Sequence, residues 1–356
     1  SFADGSVNCE ALFNAMSQLA PLLSDDTIVV VKSTVPIGTN QRIADIIAIQ
    51  CPHLKEVHVA SNPEFLREGS AINDFMNPDR IIIGIEQASL QEAFNQLYAP
   101  FKHVIQFTNR VTSEIIKYAS NCFLATKVAF INELSDLCRA SGGHIDALSL
   151  AMGTDPRIGP LFLKPGPGIG GSCFPKDIRG LSHIMRTHHH PSSIIDGVIK
   201  SNTQRIKNMV SYIQEIIPSP TDITLLGLTF KANTDDTRES SSIAIAQMLS
   251  DLNYTLHCYD PMHSLINHDV LPKNCQLYPS ANDAISASKT IVVLTEWPDF
   301  QRIKWAKLNE QHTPYTVIDL RNMLCAKTMS SYVRFYNLNG FIGSPHTEDE
   351  LNFDQV

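Results

Sequence analysis

The chain has 356 residues, 43% hydrophobic and 18% charged, with a formal net charge of −8. That length gives room for two or three domains with a sizeable core. The acidic balance and the lack of any basic run exclude an ordinary nucleic-acid binder, and no apolar stretch approaches the roughly 20 residues that cross a membrane.

Apolar residues at helical spacing over 8–23 (Leu12, Ala15, Met16, Leu19) predict a helix. An apolar strand from Thr27 runs into Lys32-Ser33-Thr34-Val35-Pro36. A helix over 39–50, strands over 57–60 and 80–84, a helix over 88–99 and a short strand over 104–107 follow. Fully apolar strands alternating with helices indicate a parallel sheet covered on both faces. Only three or four strands precede residue 110, and no GxGxxG follows the first of them, although a doubly wound dinucleotide domain carries that turn after its first strand.

One long helix is predicted from Thr112, as N-cap, to Ser141, with Gly142-Gly143 as its stop. It is apolar nearly all round, as suits a helix buried between layers or subunits. Lys117 and Asn121 are polar exceptions one turn apart on one face. A lysine there needs a partner, or a route to water from near the helix start. Helices over 145–153, 173–187 and 192–217 come next. A second α/β unit begins near Pro220, with strands at 223–228, 255–259, 290–295 and 315–320 and a helix over 240–252. Lys231, Arg238 and Arg321 fall at strand ends, where an anionic ligand such as a diphosphate binds in such sheets. The fold class is α/β: two Rossmann-like parallel-sheet domains, the first truncated, joined by a long central helix. The expected domains are 1–110, 111–217 and 218–356.

Eight cysteines lie scattered without CxxC spacing, which suits reduced thiols in the cytoplasm and offers no zinc site. His188-His189-His190 reads as a solvated loop, because adjacent side chains diverge, so no metal is expected. Nothing at the start of this sequence resembles a signal peptide, and the turn-like start without methionine suggests a fragment or trimmed chain.

The chemistry is concentrated in the run from Gly166 to Asp177, Gly-Pro-Gly-Ile-Gly-Gly-Ser-Cys-Phe-Pro-Lys-Asp. Its four glycines would let a bulky ligand approach the backbone. Cys173 then sits at a helix N-terminus with Lys176 nearby, and both the helix dipole and the ammonium favour thiolate. This points to a nucleophilic cysteine beside an anion-binding loop. A cysteine hydrolase would need an activating histidine, and none of the thirteen lies in the motif segments.

The motifs occur in a fixed order over essentially the whole chain. They are Lys32-Ser33-Thr34-Val35-Pro36, Asn62-Pro63-Glu64-Phe65-Leu66-Arg67-Glu68-Gly69, Asn77-Pro78-Asp79-Arg80 and Lys117-Tyr118-Ala119-Ser120-Asn121. Then come Arg157-Ile158-Gly159, the Gly170 to Asp177 run, Phe230-Lys231, Asp236-Thr237-Arg238-Glu239-Ser240, Tyr259-Asp260-Pro261 and Thr295-Glu296-Trp297. With them the chain resembles the UDP-glucose/GDP-mannose dehydrogenase family.

The resemblance implies an N-terminal NAD domain, a central helix that makes a homodimer, and a C-terminal domain for the sugar nucleotide. It implies oxidation of a C6 alcohol to a carboxylate by two NAD-dependent hydride transfers, which yields uronic acid for surface polysaccharide. Cys173 would hold the intermediate as thiohemiacetal and thioester. Lys117 and Asn121 would stabilise the oxyanion, and Glu64 and Asp177 would handle protons and water, with Thr34 helping to hold that water. The backbone of Phe65, Leu66 and Arg67, with Phe162, Lys164, Gly170, Lys231 and Arg321, would contact the sugar nucleotide. Arg157 would reach the partner subunit's site. Thr34, Glu68, Lys176 and Arg238 would touch NAD. The Gly-Gly-Ser-Cys-Phe-Pro-Lys-Asp form looks like the UDP-glucose enzymes; Ser172 stands where the UDP-N-acetylmannosamine branch carries His, and GDP-mannose enzymes, which share Gly-Gly-Ser-Cys, are the runner-up. The family's first strand and Gly-rich turn, roughly the first half of its NAD domain, have no counterpart here, so a catalytically silent sugar-nucleotide-binding fragment is the alternative expectation.

Overall fold

The computed structural model describes residues 4–308 and 314–343. The chain forms two compact units, one running up to Phe123 and including Lys176–Asp196, the other made of Leu124–Pro175 and the residues from Gly197 onward.

The first unit begins with α1 (Glu10–Leu19), β1 (Thr27–Val31), α2 (Thr39–Gln50) and β2 (Val57–Ser61). It continues with α3 (Ala71–Met76), β3 (Ile81–Gly84), α4 (Gln91–Leu97) and β4 (Ile105–Thr108). Its four strands lie in the order β1-β2-β3-β4. β1 runs parallel to β2, and β3 to β4. The expectation of an all-parallel sheet needs correction, because β2 and β3 are antiparallel through the pair Ser61 and Gly84. The link of residues 62–80 holds only the six-residue α3, so the chain enters β3 without a full crossover helix laid back along the sheet. Alternate side chains feed two apolar clusters: Val59 joins Met16, Val31, Ile43 and Ile47, while Ala60 joins Ile81, Ile83 and Phe94.

Helix α5 (Arg110–Ser141) starts earlier than the sequence indicates. Its cap is Asn109, whose Oδ1 accepts the Thr112 N–H at 2.7 Å, so Thr112 is not the N-cap. Its end is as read: Gly142 adopts φ +77°, and Gly143 N–H bonds the Cys138 carbonyl at 2.8 Å. Phe123, Phe130 and Leu137, seven residues apart and so on one stripe, are 67%, 49% and 60% exposed. The helix is therefore not buried all round within this chain. After it come α6 (Ile145–Gly153), α7 (Phe174–Thr187) and α8 (Ser193–Ile216).

The second unit carries β5 (Asp222–Leu226), α9 (Ser241–Asp251), β6 (Thr255–Tyr259), β7 (Cys275–Leu277) and α10 (Ala281–Ala287). Then follow β8 (Thr290–Val293), α11 (Pro298–Gln301), β9 (Tyr315–Asp319), β10 (Val333–Asn337) and β11 (Gly340–Gly343). The strand order is β11-β10-β9-β8-β5-β6-β7, parallel except for the β10/β11 hairpin. β7, β10 and β11 have no counterpart in the sequence reading. β7 and β11 are edge strands and β10 lies next to the edge; being short or polar, they lack the continuous apolar run that marks the central β5 and β8.

Candidate active site

The two polar residues of α5 each hold a different carboxylate. Lys117 is buried rather than reaching for water. Its Nζ donates to the Glu64 carbonyl at 2.6 Å, pairs with the Glu64 carboxylate at 3.0 Å and lies 5.3 Å from the centre of the Phe65 ring. Glu64 sits in the loop after β2, and its other oxygen accepts the Leu66 N–H at 2.7 Å. One turn along, Asn121 Nδ2 donates to Asp177 Oδ2 at 2.6 Å. Lys176 takes the other oxygen of Asp177 at 2.6 Å. Lys176 is thus committed to a carboxylate rather than free to favour a thiolate. Burial, then the Asp177 charge, pushes the neighbouring Cys122 thiol up to about 12. That keeps Cys122 a protonated, inert side chain. The same two causes raise Tyr118. Glu64 with Lys117, and Asp177 with Asn121 and Lys176, therefore form two polar groups of the first unit, one turn apart along α5. Thr34 lies half-buried in the turn after β1, and among the described residues no hydrogen bond joins it to either group.

In the second unit, Cys173 is exposed and immediately precedes α7, the helix whose first turn carries Asp177. Its sulfur lies 3.6 Å from Ser172 Oγ. The glycines before it pack closely against protein. A Cβ on Gly171, at φ +90°, would lie 2.7 Å from the Phe230 ring, and one on Gly170 would lie 2.6 Å from the Glu239 carbonyl. Phe162 also holds a left-handed backbone, at φ +63°, with its ring 6.2 Å from that of Phe174. Such a conformation costs an aromatic residue on the order of 1–3 kcal/mol and is kept where position matters.

The expected phosphate-binding residues are arranged unequally. Arg321 is tied down, with Nε on the Leu294 carbonyl at 2.7 Å and Nη1 on Glu296 at 3.0 Å. Lys231 lies over the Phe230 ring at 5.3 Å, and Lys164 is exposed. Arg238 is paired with Asp236 at 2.8 Å, Arg157 with Asp155 at 2.6 Å, and Arg67 with Asp74 at 2.6 Å. Leu66 is exposed and Glu68 half-buried in the same loop as Arg67. Three residues that the sequence reading did not single out, Asn132, Asn202 and Arg205, bond the backbone of the glycine loop. The signal for Arg205 was its place on the buried face of α8, seven residues after Val198 and four before Met209.

Comparison with known proteins completes this picture. The NAD binding domain of the UDP-glucose/GDP-mannose dehydrogenase family matches residues 1–102, its central domain 111–204 and its UDP binding domain 224–326. A UDP-glucose 6-dehydrogenase from Rickettsia conorii is 42% identical over 339 residues, covering 93% of this chain and 78% of that protein. The one from Rhizobium meliloti is 38% identical, covering 90% and 75%. The chain belongs to the UDP-glucose/GDP-mannose dehydrogenase family. The solved UDP-glucose dehydrogenase of the hyperthermophilic archaeon Pyrobaculum islandicum superposes with a TM-score of 0.85 at 29% identity, over 94% of this chain and 76% of that one. The expectation that the first half of the NAD domain is absent is not borne out, since the match to that domain starts at residue 1. The silent-fragment alternative loses its ground with it.

Membership in this dehydrogenase family makes NAD the cofactor. An open cleft of about 470 Å³ on the first unit fits part of a dinucleotide. Val7, Phe13, Pro36 and Ile37 offer apolar faces for a flat ring. Arg42, stacked 4.1 Å from the Phe13 ring centre, offers a charge for a phosphate. The cleft opens two residues beyond Thr34, while Glu68, Lys176 and Arg238 do not line it. The N-terminus of α2 is not a phosphate cradle here. The Glu114 carboxylate already accepts the Gly38 N–H at 2.7 Å and the Asn40 N–H at 2.9 Å.

Proposed function

We propose that this chain oxidises UDP-glucose to UDP-glucuronate through a covalent intermediate on Cys173. The observation that carries the reading is an exposed cysteine at the end of a tightly packed glycine loop, directly before the helix that bears Asp177. The roughly 40% identity to UDP-glucose 6-dehydrogenases supports the substrate. The match to the family's UDP binding domain supports a sugar nucleotide as the ligand.

NAD, when bound, accepts one hydride in each of the two oxidations. The residues supply the rest. Once the C6 alcohol has become an aldehyde, the Cys173 sulfur adds to the carbonyl carbon, and its proton leaves to a carboxylate. The thiohemiacetal holds C6 in place for the second oxidation, which gives a thioester. Water then attacks, the carbon–sulfur bond breaks, and the acid and the free thiol are released. Each addition places negative charge on an oxygen, and the Lys117 ammonium and Asn121 amide are the donors assigned to it. Both are already oriented by a carboxylate, so little reorganisation is needed. Glu64 is the base that activates water in this scheme, because its side chain is 32% exposed. Asp177, 1% exposed and held by Asn121 and Lys176, is the fixed charge that orients Asn121. Thr34 is assigned to the water and, with Glu68, Lys176 and Arg238, to the cofactor. Phe65 to Arg67, Phe162, Lys164, Gly170, Lys231 and Arg321 are assigned to the sugar nucleotide.

The proposal extends to a cytoplasmic homodimer. Eight free cysteines suit a reducing compartment, and the exposed Phe123, Phe130 and Leu137 on α5 suit a partner helix.

Turnover with UDP-glucose and with GDP-mannose, each with NAD, tests the substrate. We expect two NADH per UDP-glucuronate formed, and a kcat/KM at least tenfold lower with GDP-mannose. Equal use of both sugar nucleotides would sink the assignment.

A further inference from the structure

The backbone between Lys164 and Cys173 contains four glycines, yet it is held at several points. Gly166 N–H donates to Asn132 Oδ1 at 2.9 Å, and the Gly166 carbonyl accepts Arg205 Nε at 2.9 Å. Three residues on, one side chain closes on Ile169 from both sides. Asn202 Oδ1 accepts the Ile169 N–H at 2.7 Å, and its Nδ2 donates to the Ile169 carbonyl at 3.0 Å. Gly171 N–H then bonds the Arg238 carbonyl at 3.1 Å. All but the last of these anchors come from α5 and α8, so a loop with little helix or strand propensity takes much of its shape from two long helices.

Arg205 is the most demanding of them. Its side chain is 2% exposed, and Nη1 reaches Asp136 at 2.5 Å and the Asn132 carbonyl at 3.2 Å. Burying a guanidinium is costly unless its N–H groups are bonded; here Nε and Nη1 are, while Nη2 is buried without a partner among the described residues. An aliphatic residue would satisfy the apolar pattern of α8 without that cost. What it would not do is point one N–H at Gly166 and another at the carboxylate that fixes the fork's direction.

We propose that Asn202 and Arg205 are positioning residues for the nucleophile. They act through the backbone of Gly166 and Ile169 to set where Cys173 stands ahead of α7. The inference rests on the dehydrogenase reading above for its kinetic consequence, but not for its geometric one. A merely structural role predicts lost stability with normal turnover of the folded fraction. A positioning role predicts lost turnover in a protein that is still folded.

Three variants separate these outcomes: Asn202→Ala removes both bonds to Ile169, Asn202→Asp keeps the acceptor alone, and Arg205→Lys keeps the charge but loses the fork. Each would be assayed for UDP-glucose oxidation, for melting temperature and for the rate at which iodoacetamide alkylates Cys173. We expect Asn202→Ala and Arg205→Lys to lower kcat at least tenfold, with KM for NAD within twofold of the parent. Asn202→Asp should fall between. Cys173 alkylation should speed up at least threefold as the loop loosens. Folded variants with kcat within twofold of the parent would overturn the proposal. If the parent chain itself fails to oxidise UDP-glucose, the substrate reading fails, and an unchanged alkylation rate across the variants then overturns the positioning claim separately. Should Arg205→Lys not fold, the half-buried Asn202 carries the test alone.

Discussion

At the scale of single residues, two cysteines of this chain have contrasting surroundings. Cys122 and Cys173 lie at opposite extremes. Cys122 is buried beside the Asp177 backbone carbonyl with its thiol pushed up to about 12, whereas Cys173 is exposed at a helix start. Replacing Cys173 by Ser leaves a far weaker nucleophile. UDP-glucuronate formation should fall at least about a thousandfold, or ~4 kcal/mol of transition-state stabilisation. Product quantification by chromatography checks this, and acid formed at the parent rate would remove the covalent mechanism. Lys117 teaches a related lesson. From sequence, its position near a helix start left open whether it reaches water or a partner. The structure buries it against both the carbonyl and the carboxylate of Glu64. Fifty-three residues separate the two, so no local pattern could announce the pair.

Elements are where the glycine loop acquires its rigidity. Gly171 combines a left-handed φ with a ring where its Cβ would go. Gly171→Ala should therefore destabilise the chain by about 1–3 kcal/mol. Adding Phe230→Ala should recover part of that loss, since it relieves the clash and leaves the backbone strain. Urea denaturation of the single and double variants measures both terms; an unaltered midpoint in Gly171→Ala would show that the loop is slack. The same scale shows what could be read in advance. The end of α5 was legible because Gly142-Gly143 is a local stop signal, whereas its start was not. Asn109 and Thr112 are both good caps, and only the hydrogen bond between them distinguishes the two. The central strands announced themselves by unbroken apolar runs. β7, with three residues, and β10, with Arg334 inside it, did not. The antiparallel join of β2 and β3 was hidden because it depends on the path the chain takes between them.

For the whole molecule, the exposed apolar stripe on α5 has the strongest consequence. Phe123, Phe130 and Leu137 are large apolar side chains left in water at a spacing that keeps them on one helix face. Isolated exposed apolar residues are ordinary, but an aligned set invites a second surface. Phe130→Asp with Leu137→Asp should convert a dimer into a monomer, with far-UV circular dichroism unchanged. Sedimentation velocity reads the mass directly. A parent chain that sediments as a monomer at micromolar concentration would end the dimer proposal.

The carboxylate of Glu114 alters how this fold relates to its cofactor. Helix ends in nucleotide-binding proteins commonly stay vacant until a visitor's phosphate arrives. Here α2 has a permanent tenant, buried and supplied by the chain itself. Attraction between that helix and an incoming diphosphate is therefore replaced by repulsion from an internal anion. In the cleft beside that helix end, the exposed Arg42 offers a positive charge instead, and salt would screen any attraction it exerts on a phosphate.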